Sequence, residues 1–246
     1  MSSVLEHKQP MSKEELQRLD YLKNGAYHWK IDPTKRGGSL VLERYQKVSR
    51  IVEELNPKIV LDVGGGDGRL TNILESICPK AINVDFDTFA LSLARSKSRN
   101  QIVIPADAVN LPFQPDSIDV ICCVETLEHN SYETAIRIVE EFYRVLKKGG
   151  MLVLTMPSTN IPVTPKHYLH YNPEILSKLL VNYSNFSIDG LEKANVGHMG
   201  YLLKLTSNRY WTIPILGRII GLELYKRLYG TCQPDQARTL LATAVK

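Results

Sequence analysis

Short apolar runs alternate with amphipathic stretches through the middle of the chain. The runs are Lys58–Val63, Ala81–Val84, Gln101–Ile104, Ile118–Val124 and Met151–Met156. Between them, helical spacing of apolar positions extends to about Cys78, over about Thr88–Ser98, and over Tyr132–Leu146. Strands apolar along their whole length are covered on both faces, and their alternation with helices predicts a parallel, doubly wound α/β sheet. Upstream, Ser12 followed by Glu15 is a capping-box pattern for a helix over about 12–24. Asn24–Gly38 reads as a loop. Ser39 then caps a helix to about Leu55, with Leu40, Tyr45, Val48, Val52 and Leu55 as its apolar face, and Pro57 stops it. Residues 1–11 read as a mobile tail. Lys147-Lys148-Gly149-Gly150 is expected to close the helix before it, basic last turn then glycine.

Composition narrows the class. A chain of 246 residues with 43% hydrophobic and 23% charged positions is ordinary for a globular protein, which excludes a largely disordered or polytopic membrane chain. The net charge of +4 does not argue for a nucleic-acid binder. Cys78, Cys122, Cys123 and Cys232 show no zinc or disulfide spacing, and a reducing compartment fits them. The N-terminus lacks the apolar core of a signal peptide. Trp211–Leu228 is interrupted by Arg218, Glu223, Lys226 and Arg227, so it is no transmembrane span. A cytoplasmic location is expected.

Ligands of doubly wound folds bind beyond the carboxyl ends of the strands. Gly64–Gly68, Asp85, Asp107 and Glu125–His129 each follow a strand and should therefore share one rim. Asp62–Gly68 reads D-x-G-x-G-x-G. A nicotinamide fingerprint would need glycine at 69, which is Arg, and the Walker pattern is absent. Alone, such a loop is also simply a tight turn. Asp85, 21 residues after Gly64, stands where an acid accepts hydrogen bonds from ribose hydroxyls. As lone residues, Asp85 and Asp107 are equally helix caps or turn acids.

The segments VLDVGGGDGRL (60–70), INVDFD (82–87), PADAVNLPF (105–113), SIDVICCVETLEH (117–129) and RVLKKGGMLVLTMPS (144–158) change that balance. Together they resemble the class I S-adenosylmethionine-dependent methyltransferases, most closely the small-molecule, methyltransferase type 11-like branch. The resemblance covers about 59–158. It implies a Rossmann-like seven-stranded sheet whose seventh strand, Arg238–Val245, is antiparallel, with Asn185–Leu191 as the sixth. It implies S-adenosyl-L-methionine as cofactor. Asp62, Gly64, Gly66 and Gly68 would shape the loop beside its methionine part, and Asp85 would hold the ribose. Phe86 would lie against the adenine, Asp107 and Ala108 would meet its amine, and Glu125 would line both cofactor and acceptor. Gly65 departs from the pattern and implies only extra backbone freedom.

A sulfonium methyl is already electrophilic, so alignment supplies much of the rate. A base is needed only for a protonated acceptor. His129 is the candidate base, with Glu125 and Glu128 beside it. If a helical turn begins at Glu125, these three share a face and could hold a divalent ion. Two remote branches, small-RNA 2′-O-methyltransferases and ubiquinone-pathway O-methyltransferases, resemble the segment in an E-x-x-E-H associated with Mg²⁺. His167 or His170 could add a ligand there. A Leu-Glu-His at this place is widespread in metal-free relatives, and no metal ligand is assigned.

Acceptor recognition belongs to three segments outside the shared core. These are the cap with Tyr21, Tyr27, His28 and Trp29; Asn160–Tyr171 with His167, Tyr168, His170 and Tyr171; and a long connection at about 192–235. The last contains His198, Tyr201, Tyr210, Trp211, Tyr225 and Tyr229. As a group these aromatics suggest a roofed site for a small, apolar acceptor; singly, each could simply pack the cap. Trp211–Leu228 could lie on a membrane surface or form a lid, which its position favours. The expected division is 1–56 as tail and cap helices and 57–246 as the methyltransferase domain with a cap insertion. The expected activity is O-methylation of a small organic molecule, without nucleic-acid partners. The alternatives are an RNA or protein methyltransferase, or a non-catalytic S-adenosylmethionine-binding regulator.

Overall fold

The computed structural model describes residues 11–32, 36–194 and 231–246. The elements in order are α1 (Lys13–Asn24), α2 (Arg36–Leu55), β1 (Ile59–Val63), α3 (Arg69–Leu74), β2 (Lys80–Asp85), α4 (Thr88–Lys97), β3 (Ile102–Pro105) and β4 (Ile118–Val124). Then follow α5 (Tyr132–Val145), β5 (Leu146–Pro157), α6 (Pro173–Leu179), β6 (Ser184–Lys193), β7 (Thr231–Cys232) and β8 (Ala237–Val245). Short 3-10 turns lie at Tyr27–Lys30, Leu127–His129 and Pro234–Gln236.

The strand order is β3-β2-β1-β4-β5-β8-β6-β7. The first five strands pair in parallel, and β8 inserts antiparallel between β5 and β6. That is the expected seven-stranded sheet with its antiparallel last strand. The two-residue β7 adds an eighth at the edge of β6.

Continuous apolarity in β4 has its predicted cause. Ile121 and Cys123 face a core built with α5 and α6, through Ile138, Val139, Phe142 and Leu176. Val120 and Cys122 face the opposite core, against Val48 and Val52 of α2 and Leu70 and Leu74 of α3. Both faces are buried from Val120 to Cys123, so apolar residues fill both, and the one charged residue of the strand, Asp119, sits half-buried near its start. Cutting Ile121, fully buried, to Ala would cost about 2–5 kcal/mol.

The capping box of α1 forms as expected, Ser12 and Glu15 each receiving the other's backbone amide. Several boundaries differ from the sequence pattern. Helix α2 begins at Arg36, ahead of the expected Ser39 cap and inside the expected loop, because tertiary context overrides the weak helix propensity of Gly37 and Gly38. Its face is Tyr45, Val48 and Val52, while Leu55 is exposed. Helix α3 stops at Leu74, not Cys78. Pro79 disfavours helix in the residue before it, and the chain must re-enter the sheet at Lys80. Helix α5 ends at Val145, and Leu146–Gly150 belong to β5 rather than to a glycine-capped helix end. Leu146 pairs with Ile118, and Gly149, at φ +77°, turns the strand and donates its amide to the Lys246 carbonyl. The tail at 1–10, the helix at Trp211–Leu228, and His198, Tyr201, Tyr210, Trp211, Tyr225 and Tyr229 lie outside the described residues, as does most of the insertion at 192–235.

Candidate active site

The parallel strands β1 to β4 bring their carboxyl ends to one rim, and with them the glycine loop, Asp85, Asp107 and Glu125–His129. The loop is wired to β2. The Gly64 amide donates to the Val84 carbonyl at 2.8 Å, and the Gly66 amide donates to Asp85 Oδ2 at 2.9 Å. Asn83 Nδ2 donates to the Gly66 carbonyl. Gly64, at φ +76°, needs both its backbone freedom and its lack of a side chain, since a Cβ there would lie 2.3 Å from Thr126 Oγ1. Gly65 corrects the sequence reading. Its φ is ordinary, so freedom is not its use; a Cβ would sit 2.6 Å from Asn83 Oδ1 and 2.8 Å from Asp62 Oδ2.

Asp62 lies beneath the loop rather than on the rim. It is buried, and Thr71 Oγ1 donates to its Oδ2 at 2.6 Å. Burial pushes its carboxyl up to about 7, against the lowering effect of the Thr71 hydrogen bond. Asp85 is on the rim and 8% exposed. Its Oδ1 accepts the Asp87 amide at 2.8 Å. Burial outweighs these two amides and pushes the group up to about 6. Phe86, next to it, is 59% exposed, an apolar ring left in water at the mouth of the site. Asp107 is exposed and accepts the Val109 amide at 3.1 Å, while Ala108 packs half-buried against the core.

The loop after β4 divides the three candidate catalytic side chains. Glu125 has φ +53° and stands outside the Leu127–His129 turn. The single helical face expected for Glu125, Glu128 and His129 therefore does not form. Glu125 Oε2 lies 2.7 Å from Arg44 Nη1 of α2, and Thr155 Oγ1 donates to its Oε1 at 3.3 Å. Glu128 is buried, and among the described residues its Oε2 has no hydrogen-bond partner. Burial, then the nearby Glu125 carboxylate, hold it well above the usual carboxylate range. The His129 ring stands edge-on to His167 at 4.8 Å between centroids. Burial lowers His129, and burial with the neighbouring imidazoles lowers His167 to about 4.

Sequence reasoning missed Arg44, whose signal was only a cation on an amphipathic helix. It also missed how the cap grips the loop. His28 Nδ1 lies 3.1 Å from Asp67 Oδ1, the His28 amide donates to Oδ2, and Trp29 Nε1 donates to the Asp67 carbonyl at 2.7 Å. Tyr21 is buried with its hydroxyl over Gly66. These cap aromatics pack onto the loop. Tyr171 is likewise fully buried, its hydroxyl donating to the Leu127 carbonyl. Tyr168 remains exposed beneath the Lys13 ammonium.

Comparison with known proteins agrees with this geometry. A family model described as a methyltransferase domain matches residues 61–154. A protein of Mycobacterium tuberculosis named "Probable S-adenosylmethionine-dependent methyltransferase" is 29% identical over 147 residues, 56% of this chain and 53% of its own. The chain thus spans about half the length of the first curated relatives it matches. A ubiquinone biosynthesis O-methyltransferase of Nitrosomonas europaea is 26% identical over 77% of this chain and 80% of its own. The crystal structure of a SAM-dependent methyltransferase from Archaeoglobus fulgidus superposes with a TM-score of 0.60 at 18% identity, covering 82% of this chain and 92% of that one. Sequence, sheet order and rim agree: residues 61–154 carry a methyltransferase domain, and the chain is similar to S-adenosylmethionine-dependent methyltransferases.

Proposed function

We propose that the protein transfers a methyl group from S-adenosyl-L-methionine to an oxygen of a small organic acceptor. The observation that carries this reading is the pairing at the end of β2. A carboxylate with two of its contacts fixed by backbone amides sits beside an aromatic ring 59% exposed to water. An adenosine offers what the pair lacks, hydroxyl donors for Asp85 and an aromatic face for Phe86. The exposed Asp107 carboxylate next along the rim suits the adenine amine. The residues present fit the cofactor.

When bound, the cofactor supplies an electrophilic methyl carbon on a sulfonium. The chain's part is alignment and proton handling. The glycine loop, tied to Asp85, fixes one end of the site. Glu125, held by Arg44 and Thr155, lines the other. His129 donates from Nδ1 to the Lys166 carbonyl at 3.3 Å, which leaves Nε2 as its acceptor nitrogen. Burial keeps the ring neutral near pH 7, so Nε2 can take the proton of an acceptor hydroxyl as the new C–O bond forms and the methyl C–S bond breaks, its electron pair staying on sulfur.

The small-acceptor part is supported by the Nitrosomonas relative, named for ubiquinone biosynthesis, which matches over most of both chains. The test is methyl incorporation from labelled S-adenosylmethionine into an extract split into organic-soluble, aqueous, protein and nucleic-acid fractions. Label in a small-molecule fraction is the expected result. Label in nucleic acid or protein overturns the acceptor class. Cofactor binding with no label in any fraction favours the non-catalytic reading.

A further inference from the structure

Arg44 reaches from α2 to the rim. Its Nη1 lies 2.7 Å from Glu125 Oε2, and its Nε lies 3.9 Å from Glu192 Oε1 near the end of β6. We propose that Arg44 is a positioning residue that cancels the charge of Glu125 beside the cofactor's sulfonium, and so sets the balance between binding the charged cofactor and binding its spent, neutral product. This inference rests on the reading that Glu125 lines the cofactor, and not on the class of acceptor.

Both partners of the pair are held in place. Tyr45 and Val48, on the same helix, are buried in the core against β4. That fixes the rotation of α2 and with it the direction of Arg44, whose side chain is only 12% exposed. Glu125 has a left-handed backbone, φ +53°, which is uncommon for a residue with a side chain. Its amide donates to the Thr155 carbonyl at 2.9 Å, and Thr155 Oγ1 donates to its Oε1. Arg44 takes the other oxygen. One carboxylate oxygen is thus tied to β5 and the other to the cap helix. The next residue, Thr126, packs on Gly64, where a Cβ would lie 2.3 Å from its Oγ1. The carboxylate is therefore fixed one residue from a contact with the glycine loop.

The charge of the reacting centre gives this pairing its consequence. Methyl transfer breaks the C–S bond and leaves its electron pair on sulfur, so a cation becomes a neutral thioether. A bare carboxylate at this place would hold the charged reactant more tightly than the transition state, in which that charge is fading, and would slow the step. Arg44 cancels the charge while leaving the carboxylate oxygens where β5 and the loop put them. A guanidinium suits the task, since its rigid fork faces Glu125 with one nitrogen and Glu192 with another.

The test is calorimetric titration of the full chain with S-adenosylmethionine and, separately, with S-adenosylhomocysteine. In Arg44→Met the ratio of the two affinities should shift towards S-adenosylmethionine by about fivefold or more, the effect of one unit charge about 4 Å away even at the dielectric of water. In Glu125→Gln the guanidinium is left without its partner, and the ratio should shift by a similar factor towards S-adenosylhomocysteine. The double variant restores the balance of charge and should return to the parental ratio. A purely structural role for Arg44 would weaken both ligands together and leave the ratio unmoved. A parental ratio in both single variants, or a shift of the opposite sign, overturns the proposal. Should Arg44→Met not fold, Glu125→Gln decides by the same ratio. A parent that binds neither ligand overturns the cofactor reading and this inference with it. A parent that binds both, with a ratio that no variant moves, overturns this inference alone.

Discussion

The Gly66 amide and the Asp85 carboxylate, 2.9 Å apart, join the glycine loop of β1 to the carboxyl end of β2. One side chain thereby shapes the loop and presents the acid to the rim. Asp85→Ala removes a charged acceptor from both. S-adenosylhomocysteine binding should weaken by about 2–3 kcal/mol, roughly 30- to 150-fold. Calorimetric titration of parent and variant checks it; equal affinities would remove Asp85 from the cofactor site.

The same carboxyl gives the site a pH dependence. Its folded value is raised to about 6, so it is increasingly protonated as pH falls through 6. Protonation removes an acceptor for ribose hydroxyls. Affinity for S-adenosylhomocysteine should be flat above pH 7 and decline below 6, towards tenfold per unit. Asp85→Asn should bind more weakly and without that decline. Binding isotherms from pH 5 to 8 separate the two patterns.

Asp62 carries a stability prediction of a definite sign. Its folded value of about 7 lies above the model-compound 3.8, so the folded state binds the proton more tightly. The contribution is fully present below about pH 4 and is lost as pH rises through 7. Over that window it amounts to on the order of 4 kcal/mol. Asp62→Asn keeps a neutral acceptor for Thr71 and should flatten this part of the curve. Urea midpoints at pH 5 and pH 8 for both proteins measure the difference.

Phe86 separates binding from folding. At 59% exposure its truncation should change stability by less than about 0.5 kcal/mol. An aromatic partner of adenine is worth about 0.5–1.5 kcal/mol beyond its area. Phe86→Ala should therefore keep its melting temperature while losing several-fold in cofactor affinity. A loss of stability with unchanged affinity would contradict the assignment.

Gly64 is coupled to Thr126. Ala at 64 meets both a left-handed backbone and the Thr126 side chain at 2.3 Å. Gly64→Ala should cost more than the ~1–2 kcal/mol of the backbone alone. Adding Thr126→Ala removes Oγ1 and Cγ2 but keeps a Cβ at 2.9 Å, so it should recover only part of the excess, a double-mutant coupling readable from chemical denaturation. Strict additivity would mean that the loop moves away from Thr126.

The sheet was largely legible in the chain. Five apolar runs, three of them followed by a helical period, leave few topologies, and the motif order added the antiparallel last strand. Boundaries failed where a local signal met a tertiary demand. Lys147-Lys148-Gly149-Gly150 reads as a helix end, yet pairing of Leu146 with Ile118 draws it into β5. Gly37 and Gly38 read as loop, yet they lie within α2.

The sequence by itself determined the order of elements and the set of chemical groups at the rim. Hydrophobic period depends on neighbours in the chain, and strand ends follow from it. Only the tertiary structure decided what each group faces. Asp62 and Asp85 lie near the carboxyl ends of consecutive strands and look alike in sequence. One is sealed under the loop against Thr71, and the other opens onto the rim. Glu125 and Glu128 are three residues apart, yet Arg44, from a helix more than eighty residues earlier in the numbering, claims the first. His167 and His170 meet Glu128 and His129 through a loop beyond β5. Burial and charge pairing act through space, and the chain's linear order does not record which side chains will share it.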